Sequence, residues 1–391
     1  MKICMLDPLF FPYFGGTEKV VYEVGKRLVK RGHQISVLTS MIPQANGVGH
    51  EEIEGMEIHR TASIYFDRLP LSFLPPPFTI SPLFLPDLFA HAEADIFHAH
   101  NRFWYYPPTL AAIKLVMRKK LMLTIHNSRP SGISPSTDLF GGLYDDTLGR
   151  LFFSACDHIN CVSRSAMETT IPKGMHGKCS VVYNGVDTKA FAPGKGEGDV
   201  RKKFGIPESA PLILSNGRFV TQKGFSYLLD AFAKLRQEIP DARLLIIGKG
   251  PLKEQLLAHA KSLGIAGSFS ITTGIPEAEL PYYYNSADIF ALPSLYEPSA
   301  VVLSEALACG KPIVATSAGG IPEVVAEGCG LIVPPRDSDA LCNNIFALLK
   351  DDGLRKKMEA ASRKRALKNF DWDIIAANWD SVYREVCGGC D

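Results

Sequence analysis

Short apolar runs alternate with amphipathic segments along nearly the whole chain, which predicts strands followed by helices. The apolar run KICMLDPL leads to Gly15-Gly16, Thr17–Lys30 has helical spacing, and Gln34–Leu38 has the pattern of a second strand. Alternation of this kind is typical of a parallel sheet with helices on both faces. The predicted fold class is therefore α/β, with doubly wound, Rossmann-like units.

A second series of strands and helices begins after Val186–Gly205, a segment rich in Gly, Lys and Pro that is typical of an inter-domain linker. Two Rossmann-like halves of similar size follow from this. The other predicted strands are Asp95–Phe97, Leu121–Ile125, His158–Ser163, Ser180–Tyr183, Pro211–Ser215, Leu244–Ile247, Phe269–Thr272, Ile289–Leu292, Pro312–Ala315 and Leu331–Val333. The other predicted helices are Phe225–Leu235, Pro251–Leu263, Asp337–Leu349, Leu354–Asn369 and Trp372–Val386.

Composition narrows the function classes. The chain has 391 residues and a net charge of +1, from 42 Lys+Arg against 41 Asp+Glu, which argues against an electrostatic nucleic-acid binder. No apolar run approaches the roughly 20 residues of a membrane span, and the N-terminus has the pattern of a strand rather than a signal peptide. Nine scattered cysteines are typical of free thiols, so we expect a cytoplasmic protein without a disulfide framework.

Loops that follow the strands of the first half carry candidate binding residues. Paired glycines in Gly15-Gly16-Thr17-Glu18 allow a ligand to approach the backbone at a helix N-terminus, although they also suit a simple tight turn. Histidines end two strands, in His98-Ala99-His100 and at His126, and predict a polar site at one edge of the sheet or satisfied structural groups. Zinc is disfavoured because no Cys or carboxylate lies at ligand spacing.

Cations and glycines follow two strands of the second half. Arg218 after Gly217, and Lys223 before Gly224, would stand at a helix N-terminus and could bind phosphate oxygens, or could be solvated cations. Gly248-Lys249-Gly250 half resembles a dinucleotide fingerprint, but the third glycine is missing. A nicotinamide dehydrogenase is therefore disfavoured.

The segment Glu297-Pro-Ser-Ala-Val-Val-Leu-Ser-Glu305 is the most informative. Pro298 suits the first position of a helix, which predicts that Glu297 lies just outside the helix and Glu305 about 12 Å further along at about 1.5 Å per residue. A glycosidase pair needs about 5–9.5 Å. The two glutamates could instead bind two ends of one elongated ligand, and apolar flanks predict that they are buried rather than ordinary surface residues.

The run from Ala287 to Glu323 closely resembles the signature of family 4 retaining glycosyltransferases, the "group 1" enzymes. The glycine, histidine and cation motifs above occur in family order, together with Asn184-Gly185-Val186-Asp187. The resemblance implies a GT-B fold, in which two Rossmann-like domains face each other across a cleft. Residues 1–190 would bind the acceptor, with the helix in 371–391 packing back on them, and residues 191–370 would bind the donor.

The resemblance also implies roles for particular residues. Arg218 and Lys223 would bind the donor diphosphate, Glu305 the ribose hydroxyls and Glu297 the donor-sugar hydroxyls. His126 would line the reaction centre, and Ile275 would border the nucleobase. The implied catalytic residues are His126, Glu297, Arg218 and Lys223. The implied donor-binding residues are Gly16, Arg218, Lys223, Gly248, Ile275, Glu297, Ala300, Val301 and Glu305, and the implied acceptor-side residues are Gly15, Gly16, His100 and His126.

The implied reaction is transfer with retention, in which cations stabilise the leaving nucleoside diphosphate and a diphosphate oxygen takes the proton of the acceptor hydroxyl. No metal or other cofactor is expected. Asp371-Trp372-Asp373 looks like a D-x-D metal motif, but its place at a helix start favours capping and packing. Where the family usually has a small glycine-containing stretch, this chain has Ser299-Ala300, and Ala300 could narrow the donor site. Cys387-Gly-Gly-Cys390 lacks two further ligands for structural zinc.

Several alternatives stay open. A sugar-nucleotide epimerase and a non-catalytic, two-domain sugar-binding protein are the competing functions. The expected partners are a nucleotide-sugar donor and a sugar, lipid-linked or small-molecule acceptor, with the nucleobase, the sugar and the acceptor undecided. The prolines of Leu69–Phe89 exclude a regular helix and predict an ordered apolar loop. That loop could border the acceptor or touch a membrane surface, or pack in the ordinary way over helices.

Overall fold

The computed structural model of the chain describes residues 1–13, 15–66, 78–100, 107–129, 135–194, 197–326 and 328–388. Its two compact units are Met1–Asn184 with Trp372–Asp391, and Gly185–Asp371. Each unit is built on a largely parallel sheet, so the α/β fold class predicted from the alternating pattern is confirmed.

The first unit contains ten strands and seven α-helices among its described residues. The strands are β1 (Lys2–Leu6), β2 (Gln34–Ser40), β3 (His50–Ile53), β4 (Met56–Thr61), β5 (Ile64–Phe66), β6 (Phe78–Ile80), β7 (Ile96–His100), β8 (Lys120–Ile125), β9 (His158–Cys161) and β10 (Cys179–Val181). The helices are α1 (Gly16–Lys30), α2 (Phe84–Ala90), α3 (Pro107–Ala111), α4 (Pro135–Tyr144), α5 (Arg150–Ala155), α6 (Arg164–Thr170) and α15 (Trp372–Cys387).

The main sheet of this unit has the strand order β10-β9-β8-β7-β1-β2-β4-β3. Its strands are parallel except for β3, which pairs antiparallel with β4. The order reverses between β7 and β1, and ligands of doubly wound sheets bind at such a reversal, beyond the carboxyl ends of the strands. Gly15-Gly16 follow β1, His98 and His100 lie in the last part of β7, and His126 follows the neighbouring strand β8.

Helix α15 completes the core of the first unit although it lies at the far end of the chain. Trp372, Trp379 and Tyr383 are buried in one apolar cluster with residues of β1 and α1. Polar contacts hold the same helix, since Arg27 Nε donates to Asp373 Oδ1 at 2.7 Å.

The second unit has six strands and eight α-helices among its described residues. The strands are β11 (Leu212–Asn216), β12 (Arg243–Ile247), β13 (Phe269–Thr272), β14 (Ile289–Leu292), β15 (Ile313–Thr316) and β16 (Gly330–Val333). The helices are α7 (Glu197–Lys203), α8 (Phe225–Glu238), α9 (Lys253–Ser262), α10 (Leu280–Ser286), α11 (Val301–Ala308), α12 (Ile321–Val324), α13 (Ser338–Lys350) and α14 (Asp352–Asn369). The sheet is wholly parallel in the order β13-β12-β11-β14-β15-β16, with its reversal between β11 and β14.

One prediction about the Glu297 segment is wrong. Helix α11 begins at Val301 rather than Pro298, and Ala300 before it has non-helical torsion angles (φ −93°, ψ 86°). The physical reason is a long-range hydrogen bond, because the Glu297 carbonyl accepts from the Gly320 N–H at 2.9 Å. Glu297 therefore lies on a loop, and the separation estimated along one helix axis does not apply to it.

The prediction of a helix-free loop at Leu69–Phe89 is also wrong for its described part. Residues 69–77 lie outside the described residues, but residues 78–80 form β6 and α2 begins at Phe84. Pro86 is the third residue of α2, and the N–H groups of a first helical turn have no partner within the helix. A proline there costs no hydrogen bond.

Candidate active site

A lysine and a glutamate meet where the strand order of the second unit reverses. Lys223 lies in the loop after β11, and Glu297 lies in the loop after β14. Lys223 Nζ forms an ion pair with Glu297 Oε2, and Ser294 Oγ donates to the same oxygen at 3.3 Å. Their side chains are only 17% and 7% exposed. The structure thus joins two of the residues predicted for the donor site and adds Ser294, which the sequence analysis missed.

The loops that carry this pair pack backbone against backbone. Gly224 has a positive φ of 63°, and a Cβ at that position would lie 2.2 Å from the Pro293 carbonyl oxygen. The Leu295 N–H donates to the Gln222 carbonyl at 2.7 Å. Glycine at position 224 is therefore needed both for its backbone conformation and for this close approach.

The Gly248 turn after β12 packs in the same way against the loop after β11. Gly248 has a φ of 156°, and a Cβ there would lie 1.9 Å from the Gly217 carbonyl oxygen. Arg218, the next residue, is exposed and forms no ion pair with any residue that the structure describes. Ile275 is partly buried after β13, at the same edge of the sheet. The structure places these residues on neighbouring loops but does not bring Arg218 into contact with the Lys223–Glu297 pair.

Glu305 lies in the second turn of α11 and is buried. Its Oε2 accepts a hydrogen bond of 2.6 Å from the Tyr284 hydroxyl, which in turn accepts one of 3.1 Å from Asn216 Nδ2. Ala300 and Val301 lie at the start of the same helix. The sequence analysis missed Tyr284 and Asn216. The only indication in the sequence was that Asn216 is a polar residue at the end of β11.

The predicted histidines form one cluster in the first unit. His100 Nδ1 lies 3.1 Å from His126 Nε2, and the two rings stack with centroids 5.4 Å apart. His98 is held between Tyr383 Oη at 2.6 Å and Thr124 Oγ1 at 2.8 Å. Burial lowers the pKa of all three histidines, that of His126 to about 3. The cluster is therefore uncharged near pH 7.

Two carboxyl groups lie near the glycine turn after β1. Gly15 precedes α1, and Gly16 is its first residue. Glu18, the third residue, accepts the Gly15 N–H, as in the side-chain half of a capping box. Burial raises the pKa of Glu18 to about 7. Burial and the nearby Glu18 carboxylate raise the pKa of Asp7, a residue that the sequence analysis did not single out.

The remaining motifs have ordinary contacts. Asp371 accepts a hydrogen bond from the Thr188 hydroxyl, and Asp373 pairs with Arg27. Cys387 is the last residue of α15, and Cys390 lies outside the described residues. Within the described ranges, no group of three or more His, Cys, Asp or Glu side chains has an arrangement that could hold a metal ion. No helix among the described residues is both long enough and apolar enough to cross a membrane.

Known protein families match both units. The family model for glycosyl transferases group 1 matches residues 197–365, and the model for Glycosyltransferase Family 4 matches residues 14–190. Together the two matches include most of the chain and every residue predicted for the donor and acceptor sites.

Individual proteins are similar over nearly the full length. An uncharacterized glycosyltransferase of Methanocaldococcus jannaschii is 27% identical, over 98% of each chain. A phosphatidyl-myo-inositol mannosyltransferase of Mycobacterium tuberculosis is 26% identical, over 99% of this chain and 98% of its own. The crystal structure of Anabaena HepE in complex with UDP-glucose superimposes with a TM-score of 0.74 at 20% identity, over 98% of this chain and all of the other. As the sequence predicted, the chain belongs to the group 1 glycosyltransferases of the family 4 type, has the GT-B fold and is a hexosyltransferase.

Proposed function

We propose that this glycosyltransferase moves a hexose from a nucleoside diphosphate sugar to an acceptor hydroxyl, with retention of configuration and without an essential metal ion. The observation that carries the proposal is the Lys223–Glu297 ion pair at the strand-order reversal of the second unit, with the buried Glu305 on helix α11, which follows the Glu297 loop. Nucleotides bind at such a reversal in doubly wound sheets. A cation and two carboxylates match a donor that offers one pyrophosphate, one ribose diol and several sugar hydroxyls.

The parts of the donor can be assigned to this set of side chains. Lys223, with Arg218, would bind the pyrophosphate, aided by the N-terminus of α11, whose first amide groups are not used within the helix. Glu305 would accept the ribose hydroxyls, and Glu297 the hydroxyls of the donor sugar. Ile275 would contact the base, and the Gly248 turn, which packs against the loop that carries Arg218, would border the donor. HepE is described in complex with UDP-glucose, which supports a nucleotide-sugar donor here.

The proposed chemistry follows from these charges. Lys223 and Arg218 stabilise the negative charge that builds up on the leaving diphosphate. The acceptor hydroxyl attacks on the face from which the diphosphate departs, and its proton passes to a diphosphate oxygen. His126 is uncharged, so we assign it a hydrogen bond to the sugar rather than an ionic contact. The acceptor side would include Gly15, Gly16 and His100.

The acceptor could be a sugar, a lipid-linked molecule or a small molecule. The relative from Mycobacterium tuberculosis is named for a phosphatidyl-myo-inositol acceptor. In this chain, Leu83 and Phe89 at α2 are exposed by 55% and 43%. These features support a peripheral contact with a membrane, which co-sedimentation with anionic phospholipid vesicles tests. A protein that stays in the supernatant contradicts it.

Titration calorimetry with UDP, GDP and their hexose conjugates tests the donor assignment. We expect either the UDP or the GDP series to bind, and we expect Lys223→Ala to lower the affinity. Lys234→Ala removes a surface partner of Asp339 and should leave the affinity unchanged. A sugar-binding protein would instead bind the free sugar as well as its conjugate. An epimerase would convert the donor without an acceptor.

NMR of the product anomer in EDTA-treated samples tests retention and metal independence. An inverted anomer would contradict the proposed retention. Activity that is lost on chelation and restored by Mg²⁺ would contradict the proposed metal independence.

A further inference from the structure

The carboxylate of Glu305 is held by a chain of two hydrogen bonds that begins at the end of β11. Asn216 Nδ2 donates to Tyr284 Oη at 3.1 Å, and Tyr284 Oη donates to Glu305 Oε2 at 2.6 Å. Tyr284 lies on α10 and is fully buried. The chain thus links three separate elements of the second unit.

The direction of this chain is fixed by the chemistry of its members. A tyrosine hydroxyl has one proton to donate, and an amide NH₂ can only donate. Because Asn216 donates to the phenol oxygen, the phenol proton is left for Glu305. Burial and the nearby Glu305 carboxylate raise the pKa of Tyr284, so the phenol stays protonated. Glu305 therefore receives a charge-assisted hydrogen bond of fixed direction.

A buried carboxylate needs such a donor, and the donor also sets its orientation. Glu305 is 5% exposed, and a buried charge without hydrogen bonds is costly. Anchoring of Oε2 restricts rotation about the last side-chain bond, so the position of the second oxygen is fixed before a ligand arrives. Pre-organisation of this kind increases affinity because less freedom is lost on binding.

We propose that Tyr284 is a positioning residue that orients Glu305 to accept the ribose hydroxyls of the donor nucleotide, with Asn216 setting the direction of its hydroxyl. This inference rests on the proposed function, in which Glu305 binds the ribose. It adds that ribonucleotide selectivity depends on a hydroxyl that does not itself touch the ligand.

The Tyr284 ring has a separate packing role that a phenylalanine preserves. Its centroid lies 5.4 Å from that of Phe290 and 5.8 Å from that of Phe191. Tyr284→Phe therefore removes the hydroxyl and keeps the aromatic contacts. The neighbouring Tyr283 supplies a matched control, because it is also buried but its hydroxyl accepts from Lys203 Nζ at 2.9 Å.

The test compares the affinities of UDP and GDP with those of their 2′-deoxy and 3′-deoxy counterparts by titration calorimetry. In the wild type, a ribonucleotide should bind at least about tenfold more tightly than the deoxy forms, as expected for hydrogen bonds to a charged group. Tyr284→Phe should weaken binding of the ribonucleotide and bring the ratio of ribonucleotide to deoxynucleotide affinity toward one. Tyr283→Phe should change neither the affinity nor the ratio. In turnover assays, KM for the donor should rise more than kcat falls.

The outcomes separate this inference from the function on which it rests. A Tyr284→Phe enzyme that keeps wild-type selectivity overturns the inference alone. A wild type that does not distinguish ribose from deoxyribose overturns the ribose role of Glu305 together with the inference. Should Tyr284→Phe fail to fold, Asn216→Ala keeps the phenol and should lower the ribose-to-deoxyribose ratio, and an unchanged ratio counts against the proposal.

Discussion

Lys223 and Glu297 form an ion pair that joins the loop after β11 to the loop after β14. In the proposed function, these two side chains bind different parts of the donor, the lysine its diphosphate and the glutamate its sugar. Each is satisfied by the other before the donor binds. A bound diphosphate would therefore compete with Glu297 for the ammonium group of Lys223.

Loss of the lysine should remove charge stabilisation of the leaving group. We expect Lys223→Ala to lose on the order of 3 kcal/mol of transition-state stabilisation, about a hundredfold in kcat/KM. The measurement is steady-state kinetics with the donor identified by calorimetry, and Lys234→Ala is the control. A Lys223→Ala enzyme with nearly wild-type activity would contradict the diphosphate role.

Loss of the glutamate charge should have opposite effects on nucleotide binding and on turnover. Glu297→Gln removes the anion that competes with the diphosphate for Lys223, so the free nucleoside diphosphate should bind more tightly, by about tenfold or about 1.4 kcal/mol. Transfer should become slower because the sugar loses an acceptor of its hydrogen bonds. Product inhibition constants measure the first effect, and Glu254→Gln, on the exposed start of α9, is the control. Unchanged or weaker nucleotide binding would argue against the competition.

Two glycines with similar backbone angles should respond differently to alanine. Gly224 and Gly264 have φ values of 63° and 71°, but a Cβ meets the Pro293 carbonyl at position 224 and no atom within 4 Å at position 264. Gly264→Ala should cost about 1 kcal/mol of unfolding free energy through backbone strain, and Gly224→Ala clearly more. Urea denaturation of both variants measures the difference. Equal losses would show that the close approach is relaxed at little cost.

The carboxyl group of Glu18 should make stability depend on pH. Burial raises its pKa from 4.5 to about 7, so the folded state binds this proton more tightly than the unfolded state. The resulting stabilisation is present below the unfolded pKa and is lost as the pH rises through the folded one. Glu18→Gln keeps an oxygen for the helix cap and removes the titration. The unfolding free energy of Glu18→Gln minus that of wild type should therefore be larger at pH 8 than at pH 5, by no more than about 3 kcal/mol. Urea denaturation of both proteins at the two pH values measures this difference. If the difference is the same at pH 5 and pH 8, the prediction is wrong.

The sequence by itself determined the fold class and most of the parallel strands. The predicted strands Phe269–Thr272 and Ile289–Leu292 are confirmed residue for residue. Such strands are buried on both faces, so they read as short apolar runs between turn residues. The predicted strand ends also located the candidate binding residues, because parallel strands present their carboxyl ends at one edge of the sheet.

Only the tertiary structure decided which side chains meet and where one helix begins. Glu297 lies outside α11 because its carbonyl oxygen accepts a hydrogen bond from the Gly320 N–H. Glu305 is held by the hydroxyl of Tyr284, which lies on another helix. The pairing of His100 with His126 likewise depends on β7 and β8 being neighbours in the sheet. Periodicity along a chain reports which residues are buried, whereas hydrogen-bond partners far apart in sequence are chosen by how the strands and helices pack.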